Sequence, residues 1–324
     1  MNWKLKAHGL ALLSRMPWGR QLYHRLQKVV GTNRLHAERD LKRAFELVNL
    51  IQQGDGQIEG STCLEVGTGW RPFVPFVLAL AGAKKVVTID VNPWLTNEYA
   101  RETWDCLEGY LPEIAAETGR PEQEIRDHYK SVTMTDDLAG WLGTLNIEYI
   151  YPGDARETGL PESSVDYVVS SNVLEHIPYE IQQAIHAESL RILNPGGLAC
   201  HRFNPQDHYS TVDHTITNAN FLQFSDKDWN WLGGSGLSYH NRLRAPVYRE
   251  LFESAGFELA VCRERVDDRS LQAIQSGQLK IAGEFQNFTP EELAVDYMWM
   301  ACRKPVPTSA DSKSSDQLRA HTNS

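Results

Sequence analysis

Two carboxylates and two glycines, Glu65, Gly67, Gly69 and Asp90, have the types and spacing to hold a nucleoside. A short apolar run (Cys63, Leu64, Val66) leads into Gly67-Thr68-Gly69, and a second run, Val86-Val87-Thr88-Ile89, ends in Asp90. Glycines let the backbone turn sharply and approach a ligand, and an acid closing the second strand can accept hydrogen bonds from ribose hydroxyls. A dinucleotide turn, G-x-G-x-x-G/A, would need a small residue where Pro72 stands, so a pyrophosphate cradle is not expected.

Three further segments carry polar groups at what read as strand ends. Gly153-Asp154-Ala155 follows Ile147–Tyr151, and Val165-Asp166-Tyr167-Val168-Val169 runs into Ser170-Ser171-Asn172-Val173-Leu174-Glu175-His176-Ile177. Arg191-Ile192-Leu193-Asn194-Pro195-Gly196-Gly197 turns into Leu198-Ala199-Cys200-His201. In order, these segments resemble the motifs of the class I S-adenosylmethionine-dependent methyltransferases, the type 11 group in particular: E/D-x-G-x-G-x-G, D-x-V-x-S-x-x-V-L-E-H and L-x-P-G-G. The resemblance covers residues 61–202. It implies S-adenosyl-L-methionine as cofactor. Glu65 and the turn Gly67-Thr68-Gly69 would lie at its methionine end, Asp90 on its ribose, Asp154 and the Ala155 amide on its adenine edge, and Asn172 along the methionine arm. One position departs from the pattern: the third glycine falls on Arg71.

The elements that must position these groups alternate strand and helix, which implies a mostly parallel sheet. The expected fold is α/β, a Rossmann-like doubly wound sheet of seven strands with a basic helical extension at residues 1–50. The methyltransferase domain would span 51–304, with a substrate-cap insertion at 203–245 and a disordered tail at 305–324. Residues 95–118 read as one long helix, and a helix is expected to begin at Pro178, which suits a first helical position.

The insertion is rich in Asn, Asp, His and aromatics, and lies where the resemblance places an acceptor pocket. A sulfonium methyl is already activated, so positioning does much of the work, and a base helps when the acceptor is a hydroxyl. His176, His208 and His240 are the candidate bases; the alternative for His176 is a structural role in its turn. Asn241, Arg242 and Arg244 could grip hydroxyls, a carboxylate or a phosphate. Phe221, Phe224, Trp229 and Trp231 could stack on an acceptor or form a small core. Asp207-His208 and Asp213-His214 would permit a divalent ion, but their irregular spacing leads to an expectation of no metal site.

Composition narrows the partners. Five scattered cysteines without a C-x-x-C pair fit a reducing cytoplasm, and no apolar run approaches the roughly 20 residues of a membrane span. The stretch Leu10–Leu13 is too short for a secretory signal. Residues 1–44 hold ten Lys/Arg against two acids, a charge of +8, so the net −10 of the chain leaves −18 on the remainder. An acidic body disfavours nucleic acid, and the basic arm reads either as a lid over the domain or as a peripheral contact with the inner face of a membrane. The leading expectation is methyl transfer to a small-molecule hydroxyl, of a sugar or lipid-linked glycan, as in methyltransferases found with bacterial glycan biosynthesis. Deleting residues 1–44 should then weaken membrane association and spare cofactor binding. Two alternatives stay open: C- or N-methylation of a natural product or quinone, and a non-catalytic module keeping the fold.

Overall fold

Strand side chains alternate between faces, so each apolar run must be covered on both sides when its strand is central. The computed structural model describes residues 2–19, 22–23, 34–232, 237 and 239–307. Within them, β1 (Thr62–Val66), β2 (Lys85–Ile89), β3 (Ile147–Ile150), β4 (Val165–Ser171), β5 (Leu193–Phe203), β6 (Glu258–Val266) and β7 (Val295–Arg303) form one sheet. Its order is β3-β2-β1-β4-β5-β7-β6, parallel from β3 to β5, with β7 antiparallel to both β5 and β6. The chain runs outward from β1 on one side and from β4 on the other. The carboxyl ends of β1 and β4 therefore flank the crevice where open α/β sheets bind ligands.

Helices cover both faces. Cys63, Val86, Ile147 and Val169 meet α2 (Ala37–Gln53), α3 (Phe73–Leu80), α4 (Asn97–Leu107), α5 (Leu111–Thr118), α6 (Glu122–Ser131) and α7 (Leu138–Thr144). Leu64, Val87, Val168 and Ala199 meet α8 (Tyr179–Ile192) and α10 (Ala245–Ser254). A third cluster joins Trp3, Ala7 and Leu10 of α1 (Trp3–Ser14) to Tyr209, Phe221, Trp229 of α9 (Asp226–Leu232), Phe285, and Leu293 of α12 (Pro290–Ala294). No helix among the described residues is long and apolar enough to cross a membrane.

The long helix expected over 95–118 is broken. A 3-10 turn at Glu108–Tyr110 separates α4 from α5, because Pro112 cannot donate to a carbonyl one turn back and Gly109 weakens the helix there. Pro178 is the cap before α8 rather than its first residue. The stretch between β6 and β7 holds a helix the sequence reading left out, α11 (Asp268–Gln275), capped by the Asp267 carboxylate on the Ser270 amide.

The extension drawn at 1–50 does not separate as a unit. Leu41, Ala44, Phe45, Leu47, Val48, Leu50 and Ile51 of α2 are all buried in the main core. Each large one contributes about 1.5–3 kcal/mol of burial. A cut at residue 44 would therefore open the core, and cofactor binding would not be spared. Most of the expected tail, residues 308–324, lies outside the described residues.

Candidate functional site

Alternation places Glu65 on the same face as Cys63, beneath α3, with Thr88 as its register partner on β2. Thr88 Oγ1 donates to Glu65 Oε2 at 2.5 Å, and Thr68 Oγ1 lies 2.5 Å from Thr88 Oγ1. Burial pushes the Glu65 carboxyl up to about 8, against the partial help of that hydrogen bond, so it is mostly protonated at neutral pH. Above it the chain turns through Gly67 at φ +88° and Gly69 at φ +66°. A Cβ on Gly67 would stand 2.5 Å from Val173 Cγ2, whereas one on Gly69 would meet nothing within 4 Å. Gly67 thus lets β1 and the β4 loop come together, and Gly69 leaves an open face for a ligand.

Asp90 fastens this turn. Its Oδ2 accepts from the Gly69 amide at 2.9 Å and its Oδ1 from the Asn92 amide at 2.8 Å. Burial raises its pKa, and these amides oppose the shift. A cavity of about 250 Å³ opens beside the turn, lined by Glu65, Gly67, Thr68, Gly69, Trp70, Arg71, Phe73, Val74, Ser171 and Asn172. Asn172 takes the left-handed conformation at φ +56°, and its Oδ1 accepts from Arg202 Nη1 at 2.9 Å and Tyr297 Oη at 2.7 Å. The five expected residues Glu65, Gly67, Thr68, Gly69 and Asn172 are therefore brought together.

Asp90, Asp154 and Ala155 lie outside that lining. Gly153 donates to the Asp90 carbonyl at 2.9 Å, which sets the Asp154 loop beside the end of β2. The Asp154 carboxylate pairs with Arg156 at 2.6 Å, which holds its pKa below the usual range. Arg71, the departure from the glycine pattern, turns to α4: it pairs with Glu102 at 2.7 Å and lies 5.0 Å from the Tyr99 ring centre.

The remaining wall is Arg34, Arg39, Asp40 and Arg43, which the sequence reading counted only as part of a basic arm. Asp40 bonds both Arg39 and Arg43 at 3.0 Å. Burial lowers the Arg43 pKa, and Asp40 partly offsets this. The signal was present in the charge excess of residues 1–44, but no local motif says which face of α2 meets the turn.

On the acceptor side, a 3-10 turn at Leu174–His176 follows Asn172, and the insertion clamps it. The Asn241 amide donates to the Glu175 carbonyl at 2.7 Å, and Asn241 Nδ2 donates to the Leu174 and Ile177 carbonyls at 2.8 Å. Gln182 Nε2 reaches the same two carbonyls. His176 Nδ1 is 2.9 Å from the Tyr239 carbonyl. A carbonyl only accepts, so Nδ1 carries the proton and Nε2 presents its lone pair.

The candidate acceptor ligands are corrected by these bonds. Asn241 is committed to the clamp and to Tyr248 Oη at 2.8 Å. Arg242 donates to the Phe221 carbonyl at 2.9 Å and pairs with Asp226. Arg244, 1% exposed, donates to the Pro205 carbonyl at 2.7 Å and to those of Leu293 and Val295. All three hold the insertion together, because buried carbonyls in an irregular segment need donors. The aromatics follow suit: Phe221 and Trp229 are core, and Trp231 is exposed. Asp213 caps α1 by accepting from the Trp3 amide at 2.9 Å.

The three histidines form a row. His176 and His208 have ring centres 4.9 Å apart, and His208 and His240 stack at 4.9 Å. His240 is buried among Tyr209, Phe221 and Trp229, so it backs His208 rather than facing an acceptor. Burial and the two neighbouring imidazoles hold the His208 pKa well below its ordinary range.

Residues 113–201 match the family model described as a methyltransferase domain. No curated protein sequence matches the chain. Among solved structures, it is similar to a SAM-dependent methyltransferase from Methanosarcina mazei, at 15% identity over 77% of this chain and 94% of that one, with a TM-score of 0.43. It is also similar to phosphoethanolamine N-methyltransferase 2 from Haemonchus contortus, at 14% identity over 80% and 52%, TM-score 0.43. A third is the cyclase SpnF, at 14% identity over 81% of each chain, TM-score 0.44.

The seven-stranded, mostly parallel sheet with helices on both faces matches the Rossmann-like α/β fold of methyltransferases, and residues 113–201 match a methyltransferase-domain model. The methyl donor of such domains is S-adenosylmethionine, and the residues present fit it. Gly69 leaves open space at the turn. Pro72, as the cap of α3, supplies no N–H for a phosphate, which this donor lacks.

Proposed function

We propose that the chain methylates a hydroxyl of a small-molecule acceptor, a sugar or lipid-linked glycan. S-adenosylmethionine supplies a methyl group already activated on a sulfonium. The chain must hold the acceptor oxygen in line and take up its proton as bonding to carbon makes it acidic.

The observation that carries this reading is the clamped turn. His176 is exposed and has Nδ1 tied to the Tyr239 carbonyl, so Nε2 is held as an acceptor four residues past Asn172 of the cavity. A neutral amine needs no such base to attack a sulfonium. The four arginines lining the cavity, Arg34, Arg39, Arg43 and Arg71, against one Asp40, with Glu65 protonated, also disfavour a cationic acceptor.

The test is transfer of labelled methyl from S-adenosylmethionine to a panel of alkyl glycosides, lipid-linked glycans and amines. Hydroxyl acceptors should be turned over, and His176→Gln should lower kcat about 100-fold with S-adenosylhomocysteine affinity unchanged. Turnover of amines alone, untouched by His176→Gln, would sink the proposal.

A peripheral membrane contact belongs to the same reading. Leu5, Leu12 and Trp18 are 72%, 61% and 55% exposed on or just after α1, beside Lys4 and Arg15. Exposed apolar and aromatic groups among lysines and arginines suit an anionic bilayer surface. The full chain should float with vesicles containing anionic lipid, and the double variant Leu12→Asp, Trp18→Asp should stay at the bottom of the gradient. Equal flotation of both proteins counts against the contact.

A further inference from the structure

We propose that Glu175, His176 and His208 form a binding site for a first-row divalent metal ion. One ligand atom from each lies within 4.8 Å of the others. An ion at the centre of the widest such triangle would stand about 2.8 Å from each atom, so shifts of under ~1 Å would reach the ~2.0–2.2 Å of metal–nitrogen and metal–oxygen bonds.

The partners of these groups point the same way. Glu175 is 1% exposed; its Oε1 takes only a long bond, 3.4 Å, from the Asn204 amide, and its Oε2 is buried with no partner among the described residues. The His208 Nε2 is likewise buried with no partner among the described residues. A protonated Glu175 could have satisfied His208 directly, yet neither atom bonds the other. A buried carboxylate oxygen and a buried imidazole nitrogen without partners are costly unless something satisfies them.

Histidines that bind metals donate their other ring N–H to a carbonyl or carboxylate, which fixes the tautomer and aims the ligating nitrogen. His176 does so toward the Tyr239 carbonyl. Two imidazoles and one carboxylate suit Zn²⁺, Co²⁺ or Mn²⁺, and leave coordination positions for water or an acceptor oxygen.

The consequence for catalysis rests on the O-methylation reading: a coordinated hydroxyl is acidified by the ion, in place of a free imidazole base. Metal binding itself does not rest on that reading. The ligands come from the β4 turn and from a 3-10 turn at His208–Thr211, more than 30 residues apart, which is why the Asp-His spacings gave no sign of them.

The experiment is calorimetric titration of Zn²⁺, and absorption spectroscopy with Co²⁺, on the full chain freed of metal by chelation. One ion per chain should bind. Glu175→Gln and His208→Asn should each weaken it at least tenfold, and His214→Ala, an exposed histidine elsewhere in the insertion, should not. Melting of metal-free Glu175→Gln should match the metal-free parent, since its Oε2 has no bonded partner to lose. S-adenosylhomocysteine affinity, measured in parallel, should be unchanged with and without ion; its loss would fault the donor-site reading separately. Absence of binding, or binding equally strong in the Glu175 and His208 variants, overturns the proposal and leaves a water-filled pocket or adventitious surface binding.

Discussion

Two buried glutamates, Glu65 and Glu175, stand at the ends of adjacent parallel strands and are treated in opposite ways. Glu65 sits under the glycine turn with a register partner, Thr88, whose hydroxyl bonds it at 2.5 Å. Glu175 sits in a turn past β4 with one oxygen lacking any partner among the described residues. Burial raises the pKa of both. At the donor side the sheet itself supplies the compensation, because strand pairing fixes which side chains are neighbours. In the turn past β4 the Glu175 Oε2 has no such compensation among the described residues. On the proposed reading, a finished donor site beside an open acceptor site is what a fixed donor and a changeable acceptor require.

The largest expected effect tests how finished the donor side is. Gly67→Ala puts a Cβ 2.5 Å from Val173 Cγ2 at φ +88°. Strain and clash together should cost about 2–4 kcal/mol in urea unfolding and lower S-adenosylhomocysteine affinity at least 100-fold. Gly69→Ala has the positive φ without the clash, so its stability cost should be only about 1 kcal/mol. Equal costs at the two positions would mean that the contact between the turn and the β4 loop does not matter.

The same contrast explains what could be read in the sequence. The donor side was legible because its residues are local to strand ends: Glu65, Gly67, Thr68, Gly69 and Asn172 all line one cavity, and a mostly parallel sheet follows from the alternation of elements. The cavity wall from Arg34 to Arg43 was missed because packing of α2, not any motif, brings it there. Asn241, Arg242 and Arg244 were misread because polar residues in an irregular segment look the same whether they grip a ligand or a backbone carbonyl. Only the partners distinguish the two, and all three were found committed. His176 and His208 were found singly, but their meeting with Glu175 depends on the clamp from Tyr239 and Asn241, which no spacing reveals.

A smaller effect separates the two glutamates by pH. The Glu65 carboxyl titrates at about 8 in the folded chain against an ordinary value near 4.5. The folded state therefore keeps a proton that the unfolded state gives up. The stability tied to that proton is fully present below the unfolded pKa and is lost as pH rises through the folded one. Between pH 5 and 7.5 the loss is about 3 kcal/mol at full burial. Glu65→Gln cannot titrate and should lack this slope. Its unfolding free energy, compared with that of the parent across the window, should fall less steeply and converge with or exceed the parent above pH 8. Other groups titrate equally in both proteins and cancel in the difference. Parallel profiles for parent and variant would show that Glu65 is ionised in the folded chain at neutral pH, and that the Thr88 hydroxyl, not a retained proton, compensates its burial.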